Sequence, residues 1–219
     1  KKHRPIASGK LPLNAAWSAA IVLVLIALPA AYFLAPALAA ILALYFTINI
    51  LYSRWLKHVP VLDVMIISAG FVLRVAAGVS LITVERFSPW LYVITTLFSL
   101  YIGLGKRRAE MTLLSQGAGS HRKVLDGYTI PLLDQYITIV SGTTIVTYSL
   151  YTFTAPNLPA NHSMMLTIPF VVYGIFRYLQ LIQTGHAAGA PDEVALKDRP
   201  LQVTVLLWGL AVIAVFYLS

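Results

Sequence analysis

A short charged stretch, Lys106-Arg107-Arg108-Ala109-Glu110, directly follows a run of apolar residues and is the segment best suited to chemistry. If a helix continues through it, Lys106 and Glu110 lie one turn apart on one face, with Arg107 beside them. Ammonium and guanidinium groups bind phosphate oxygens, and carboxylate oxygens are ligands that Mg²⁺ prefers. The stretch therefore predicts a site for a phosphorylated ligand, with Glu110 as a metal ligand. A contact with anionic lipid is the alternative for the same residues.

Lys57 lies in a second basic segment, residues 54–60, which is short enough to make its two flanking helices antiparallel neighbours. Lys57 can then reach the same cavity as Lys106. We therefore take Lys57, Lys106, Arg107 and Glu110 as the candidate catalytic residues. We expect these segments to be exposed, so that replacing Lys106 or Arg107 leaves folding intact. The alternative for Lys57 is a basic loop residue with no role beyond setting orientation in a membrane.

Two arginines lie within apolar runs, where a charge is costly and usually faces a cavity or a partner. Arg74 lies about 20 Å into its run at 1.5 Å per helical residue. Tyr173, Arg177 and Gln180 share a helical face, which predicts that this face points into a bundle. An interhelical ion pair is the structural alternative for both arginines, and it is favoured for Arg177.

Asp134 lies at the start of a predicted helix, whose N-terminus stabilises a carboxylate without any catalytic role. Its neighbours Asp126 and Tyr128 add only weak support for a functional role. The absence of cysteine excludes thiolate metal sites and cysteine nucleophiles. No histidine has a partner at metal-ligand spacing, and no phosphate-binding glycine loop is present.

The elements that position these residues follow from composition. Of 219 residues, 58% are hydrophobic and 11% are charged, whereas a soluble domain is about one-quarter charged. The apolar runs are long enough for membrane-spanning helices and too long for the strands of an outer-membrane barrel. The sequence thus predicts an all-α transmembrane bundle with seven spans, at about 14–34, 36–53, 61–82, 88–104, 130–152, 163–184 and 200–218. Pro36 separates the first two spans, and Ser88-Pro89 and Thr129-Ile130-Pro131 indicate helix starts. Pro169 falls inside the sixth span, where we expect a kink.

Basic residues are strongly asymmetric. Thirteen of the 16 Lys and Arg residues lie in four segments, 1–13, 54–60, 105–128 and 185–199. By the positive-inside rule these segments are cytoplasmic loops, and the site should open to that side. The intervening loops contain only Arg86. A net charge of +8 in so apolar a chain indicates orientation in a membrane and not nucleic-acid binding.

Several segments resemble the UbiA-type superfamily of intramembrane transferases. Residues 1–10, Lys-Lys-His-Arg-Pro-Ile-Ala-Ser-Gly-Lys, resemble the stretch after that superfamily's first aspartate-rich motif. Residues 52–64 and 70–78 resemble the segment around its fifth helix. Residues 105–129, with Lys-Arg-x-x-Glu where most members carry a second aspartate-rich motif, resemble the branch that transfers a phosphoribosyl group. The resemblance extends to residues 173–178 and 198–201, and so covers essentially the whole chain.

This resemblance implies transfer of 5-phosphoribosyl from phosphoribosyl diphosphate to a long polyprenyl phosphate such as decaprenyl phosphate, with release of diphosphate. It implies Mg²⁺ as cofactor, a role in synthesis of cell-wall arabinan precursors, and a bacterial cytoplasmic membrane with the active face cytoplasmic. The candidate substrate-binding residues are Tyr52, Arg74, Arg122, Lys123, Tyr128, Asp134 and Arg177. The superfamily has nine helices and a magnesium-binding first motif. We expect this chain to lack the first two helices and that motif.

Two other functions compete with this interpretation. One is an ordinary prenyltransferase of the same superfamily with an altered second motif. The other is a transporter or lipid-binding protein, which would need a polar path across the bilayer, although Arg74 is the only deep charge. The expected partners are the two substrates and the lipid bilayer, without nucleic acid, and a homo-oligomer is compatible with the sequence.

Overall fold

The structure, a computed structural model, describes residues 5–6, 8–82, 88–115, 117, 122–156, 158–184 and 197–218. These residues form seven α-helices and three short 3₁₀ helices, with no strand, which confirms the all-α prediction. The residues outside the described parts include residues 1–4 and 185–196, which belong to two of the predicted basic segments, and Arg86. The α-helices are α1 (Leu13–Leu34), α2 (Pro36–Arg54), α3 (Leu62–Val79), α4 (Pro89–Ser115), α5 (Ile130–Thr154), α6 (Ile168–Gln183) and α7 (Arg199–Leu218).

Prolines and a threonine set three of the helix starts, as the sequence predicts. Helix α2 begins at Pro36 and α4 begins at Pro89. Proline suits the first turn because that turn has no intrahelical use for its missing N–H. Thr129 caps α5, since its side-chain oxygen accepts a hydrogen bond from the Leu132 N–H at 3.3 Å.

Pro169 does not kink a helix, and the expectation of a kink is wrong. Residues Ser163–Thr167 form a 3₁₀ helix, called η3, and α6 begins only at Ile168. Pro169 therefore occupies the first turn of α6, where its ring is tolerated. The one described proline inside a helix is Pro29 of α1.

Helix α4 continues well past its apolar run, through Ser115. Residues 105–115, which the sequence analysis assigned to a loop, are therefore helical. Lys106 and Glu110 lie one turn apart on this helix, as expected for a helix that extends beyond the apolar residues. There are two further 3₁₀ helices: η1 (Leu56–His58) precedes α3, and η2 (Lys123–Gly127) precedes α5.

Five segments are long and apolar enough to cross a membrane. They are α1, α2, α3, Ser163–Gln183 and Arg199–Tyr217. Helices α4 and α5 are less apolar because they carry many serine, threonine and tyrosine residues, several of which are buried. The chain is thus an integral membrane protein, whereas nine spans remain a prediction from the resemblance.

The contacts divide the chain into two compact units. The first contains α1, α2 as far as Asn49 and α3 from Leu73 onwards. Many of its described apolar side chains are exposed, and Trp17, Leu25 and Phe33 are more than half exposed. Such a surface is suited to lipid.

The second unit contains the start of α3, helices α4 to α7, and all three 3₁₀ helices. Its core joins α4, α5 and α6 through buried residues such as Tyr101, Leu133 and Tyr178. The Tyr101 ring packs edge-on against Tyr178, with centroids 5.2 Å apart, and its hydroxyl donates to the Ile175 carbonyl at 2.7 Å. This core holds fixed the end of α4 that carries the charged stretch.

Candidate functional site

A buried ion pair connects the start of α3 with the charged end of α4. Arg107 Nε donates to Asp63 Oδ2 at 2.5 Å, and their side chains are 3% and 0% exposed. The expectation that Arg107 is exposed is therefore wrong. Residue 107 faces the bundle because α4 continues through it, which turns Arg107 towards α3 and leaves Lys106 exposed.

Tyr128 extends this pair to the segment after η2. Its hydroxyl donates to Asp63 Oδ1 at 2.7 Å and accepts the backbone N–H of Val61 at 2.6 Å. Burial raises the pKa of Tyr128, and the hydrogen bond to Asp63 raises it further. The hydroxyl therefore keeps its proton and remains the donor to Asp63.

Glu110 continues the network on the exposed side of Arg107. Its Oε2 accepts from Arg107 Nη1 at 2.7 Å, and Arg122 Nη1 lies 3.2 Å from Oε1. Glu110 is therefore held between two guanidinium groups. The polar chain Tyr128, Asp63, Arg107, Glu110 and Arg122 joins three segments that are far apart in the sequence.

This network brings together the two basic segments that the sequence analysis singled out. The 3₁₀ helices η1 and η2 are in contact, and Pro60 packs against Gly127 so closely that a Cβ at residue 127 would lie 2.2 Å from Pro60 Cγ. Lys57 of η1 and Lys123 of η2 therefore lie on neighbouring turns, at the end of the second unit that also carries Lys106.

The lysines at this end differ from the arginines. Arg107, Arg108 and Arg122 each form ion pairs with carboxylates. Within the described parts of the chain, no ion pair involves Lys57, Lys106 or Lys123. Lys106 and Lys123 are exposed and Lys57 is partly exposed. Their ammonium groups are therefore the cations that a phosphorylated ligand can reach without breaking an internal contact.

Asp134 takes part in a separate contact between helices. Arg108 Nε donates to Asp134 Oδ1 at 2.5 Å, and Arg108 Nη1 donates to the Ile182 carbonyl at 2.9 Å. Arg108 thus ties α4 to α5 and to the last turn of α6. Asp134 serves as the partner of Arg108, and its predicted role in substrate binding stays a prediction.

Arg177 forms the interhelical pair that was favoured for it. Its Nη2 donates to Asp198 Oδ2 at 2.7 Å, and Asp198 Oδ1 accepts the Leu201 N–H at 2.9 Å, which caps α7. The hydrogen bond from Arg177 lowers the pKa of Asp198. The expectation that this face of α6 points into the bundle is wrong, because Tyr173 is 49% exposed and Gln180 is exposed as well.

Arg74 belongs to the first unit and not to the unit that contains this network. Its Nη2 donates to the hydroxyl of Tyr45 at 2.5 Å, and its guanidinium carbon lies 5.2 Å from the Tyr45 ring centroid. This combined hydrogen bond and cation–π contact satisfies a deep arginine within its own unit. Tyr52, near the end of α2, is partly exposed.

The residues that the structure describes do not by themselves fit a magnesium site. No group of three histidine or acidic residues able to hold a metal is found among them. Both carboxylate oxygens of Glu110 accept hydrogen bonds from arginines. An ionised carboxylate has about four acceptor sites, and these contacts occupy most of those of Glu110. Glu110 as a metal ligand stays a prediction.

Asp63, Arg108 and Asp198 were not among the site residues predicted from the sequence, although each organises one of these contacts. A usable signal was present for Asp63, one of only eight acidic residues in the chain and three residues after Pro60. In so apolar a chain, a carboxylate at a helix start is a candidate for a buried pair.

The fold and this site define a helical integral membrane protein with a basic end built around a buried ion-pair network. Comparison of sequences is more specific: the profile described as the UbiA prenyltransferase family matches residues 1–195. The chain belongs to this family. A solved structure, a UbiA homolog from Archaeoglobus fulgidus bound to Cd²⁺, has the same fold, with a TM-score of 0.68 at 15% identity, covering 98% of this chain and 77% of that one.

Three bacterial proteins named decaprenyl-phosphate phosphoribosyltransferase are similar over nearly the whole chain. The protein from Corynebacterium glutamicum is 32% identical over 223 residues, which cover 100% of this chain and 66% of the relative. The protein from Mycolicibacterium smegmatis is 35% identical, and the match covers 100% of this chain and 71% of the relative. The protein from Mycobacterium tuberculosis is 32% identical, and the match covers 95% of this chain and 68% of the relative. The chain thus spans about two thirds of the length of these relatives.

Proposed function

We propose that the protein transfers 5-phosphoribosyl from phosphoribosyl diphosphate to the phosphate of a long polyprenyl phosphate. The observation that carries this proposal is the buried network of Asp63, Arg107 and Glu110 at a basic end of the chain. Lys106 is exposed beside Arg107 on α4, and the contacting helices η1 and η2 carry Lys57 and Lys123. The chain is also similar to proteins named decaprenyl-phosphate phosphoribosyltransferase. Both substrates carry phosphate groups, and the acceptor also carries an apolar chain that belongs in the bilayer.

In this reaction the bond between the anomeric carbon and the diphosphate oxygen breaks, and diphosphate leaves with the electron pair. A bond forms between the same carbon and an oxygen of the acceptor phosphate. Because that phosphate is already an anion, the step needs no strong base. It needs the charge of the leaving group neutralised and the acceptor held in line.

The exposed lysines are suited to the first of these tasks. Ammonium groups with three donors each can follow the diphosphate as charge builds on it. Arg107, Glu110 and Arg122 have a supporting role, since Glu110 forms ion pairs with both arginines. These ion pairs stabilise the segments that carry the lysines. When bound, Mg²⁺ would neutralise diphosphate charge, although the described residues do not by themselves supply its site.

The proposed location is the bacterial cytoplasmic membrane, with this basic end on the cytoplasmic side. The excess of lysine and arginine in the predicted loops at this end supports that orientation. It also gives the water-soluble donor and the lipid-linked acceptor a common meeting place at the membrane surface.

Comparing two donors tests the proposal. Membranes containing the full-length protein are incubated with labelled phosphoribosyl diphosphate and polyprenyl phosphate, or with labelled prenyl diphosphate and an aromatic acceptor. We expect label in the lipid extract only with the first pair. Transfer of the prenyl label alone would instead make the protein a prenyltransferase, and label from neither donor would contradict both. Membranes with Lys106→Ala serve as the control for site-dependent transfer.

A further inference from the structure

Val61 adopts a backbone conformation that its residue type disfavours. Its φ is 67°, in the left-handed region, where a β-branched residue is a rare outlier. Its side chain is 40% exposed, so burial of the valine does not compensate for this conformation. Such strain persists only where surrounding contacts impose it, and it concentrates at functional sites.

Backbone hydrogen bonds close this turn, from the Leu62 N–H to the Pro60 carbonyl at 2.8 Å and from the Asp63 N–H to the Val59 carbonyl at 3.1 Å. Tyr128 and Asp63 add side-chain contacts that hold the turn from outside. The Val61 N–H donates to the Tyr128 hydroxyl at 2.6 Å. That hydroxyl has one proton, which it donates to Asp63 Oδ1 at 2.7 Å. A carboxylate only accepts hydrogen bonds, so Asp63 fixes the direction of the hydroxyl and leaves its lone pairs facing the Val61 N–H.

Arg107 fixes Asp63 in turn. Its Nε holds the second carboxylate oxygen at 2.5 Å, and the aspartate is completely buried. The strained turn at Val61 is thus connected through two side chains to the helix that carries Lys106. Lys57 lies four residues before Val61, and Pro60 between them packs on Gly127 of η2.

We propose that Asp63 is a positioning residue. It orients the Tyr128 hydroxyl, which holds Val61 in the left-handed conformation. The turn at Val61 then fixes η1, which carries Lys57, against η2, which carries Lys123. This role rests on the proposed function, in which these lysines bind the donor diphosphate. Asp63 itself is buried and does not touch the substrate. Its effect on catalysis passes through the placement of lysines that belong to different segments of the chain.

Val61→Gly separates positioning from stability, because glycine adopts a positive φ without strain. In the full-length protein we expect the melting temperature to be unchanged or higher. The donor KM should stay close to the wild-type value, because the turn then keeps its conformation and Lys57 keeps its place. A donor KM raised about tenfold in Val61→Gly would contradict the role of this backbone conformation in placing Lys57.

Asp63→Asn and Tyr128→Phe should instead raise the donor KM about tenfold, since misplacing a binding group by about 1 Å weakens catalysis strongly. The KM for the acceptor should change much less, and the melting temperatures should fall. Two variants serve as controls. Tyr217→Phe removes a hydroxyl from a tyrosine that is 84% exposed and should match the wild type. Asp198→Asn breaks the ion pair between Arg177 and Asp198 and should lower the melting temperature without changing the donor KM. Wild-type donor KM in Asp63→Asn would overturn the proposal.

A distance measurement tests the same proposal without activity. Residues 1–219 contain no cysteine, so spin labels can be placed at His58→Cys in η1 and Asp126→Cys in η2. We expect a narrow distance distribution that broadens when Asp63→Asn or Tyr128→Phe is added. An unchanged distribution would overturn the positioning role. If the wild type shows no phosphoribosyl transfer, the proposed function fails, whereas this measurement still decides whether Asp63 holds η1 against η2.

Discussion

Arg107 Nε lies 2.5 Å from Asp63 Oδ2, although 44 residues separate them in the sequence, and both side chains are almost completely buried. An isolated charge in such a place is very costly, so each residue depends on the other. The pair joins the end of α4 to the start of α3. It therefore links the stability of the second unit to the geometry of its basic end.

We expect Arg107→Met to destabilise the protein by about 3 to 5 kcal/mol, because it leaves the Asp63 carboxylate buried without its counter-charge. The melting temperature in detergent, measured by intrinsic fluorescence, should fall accordingly. The double variant Asp63→Asn with Arg107→Met should recover part of the loss, since it removes both charges. Equal stabilities for the single variant and the wild type would contradict the buried pair.

The lysines should behave differently from Arg107. Lys57→Ala, Lys106→Ala and Lys123→Ala each remove an ammonium group that has no ion-pair partner among the described residues, so we expect stability changes below about 0.5 kcal/mol. The donor KM should rise in each. Lys10→Ala, at an exposed position ahead of α1, is the matched control with unchanged kinetics. If all three site variants keep the wild-type donor KM, the lysines do not bind the donor.

Glu110→Gln tests whether this carboxylate serves the arginines or a metal. The substitution weakens the contacts with Arg107 and Arg122, so we expect lower activity with an unchanged Mg²⁺ concentration for half-maximal rate. Hydrogen bonds to charged groups contribute about 1.5 to 3 kcal/mol, so the melting temperature should fall as well. A shift of the Mg²⁺ midpoint to higher concentration would instead support the sequence-based prediction that Glu110 is a metal ligand.

The close approach of Gly127 to Pro60 predicts a strong effect of one methyl group. Gly127→Ala places a Cβ 2.2 Å from Pro60 Cγ, and the proline ring cannot rotate away. Such overpacking costs roughly 1 to 3 kcal/mol, and we expect a lower melting temperature together with a higher donor KM. Gly142→Ala, where a Cβ meets nothing within 4 Å, should leave both unchanged or stability slightly higher.

The pair between Arg177 and Asp198 predicts a pH dependence. Because Arg177 lowers the pKa of Asp198 in the folded protein, the pair contributes stability that is present above the ordinary aspartate pKa of about 3.9. That contribution is lost as the pH falls through the lowered folded-state pKa. The difference in melting temperature between wild type and Asp198→Asn should therefore shrink in this acid range. A constant difference at all pH values would exclude the ion pair as its cause.

The sequence by itself determined which segments are helical and which of the segments between them are basic. Long apolar runs and the prolines at positions 36 and 89 predict the helix starts correctly, because hydropathy and proline geometry act locally. The predicted kink at Pro169 was wrong because a 3₁₀ helix and an α-helix share the same apolar run there. Where an apolar run ends therefore differs from where a helix ends, as the extension of α4 to Ser115 also shows.

Only the tertiary structure decided which charges at the basic end are internal and which are exposed. Lys106 and Arg107 are adjacent in the sequence and carry the same charge, yet Lys106 is exposed and Arg107 is paired with Asp63. That difference depends on a partner 44 residues away and on the helical phase that turns residue 107 towards it. The number of charges in a segment can be counted from the sequence alone. Whether an arginine is buried depends on how helices pack, and folding brings together helices that are far apart in the sequence.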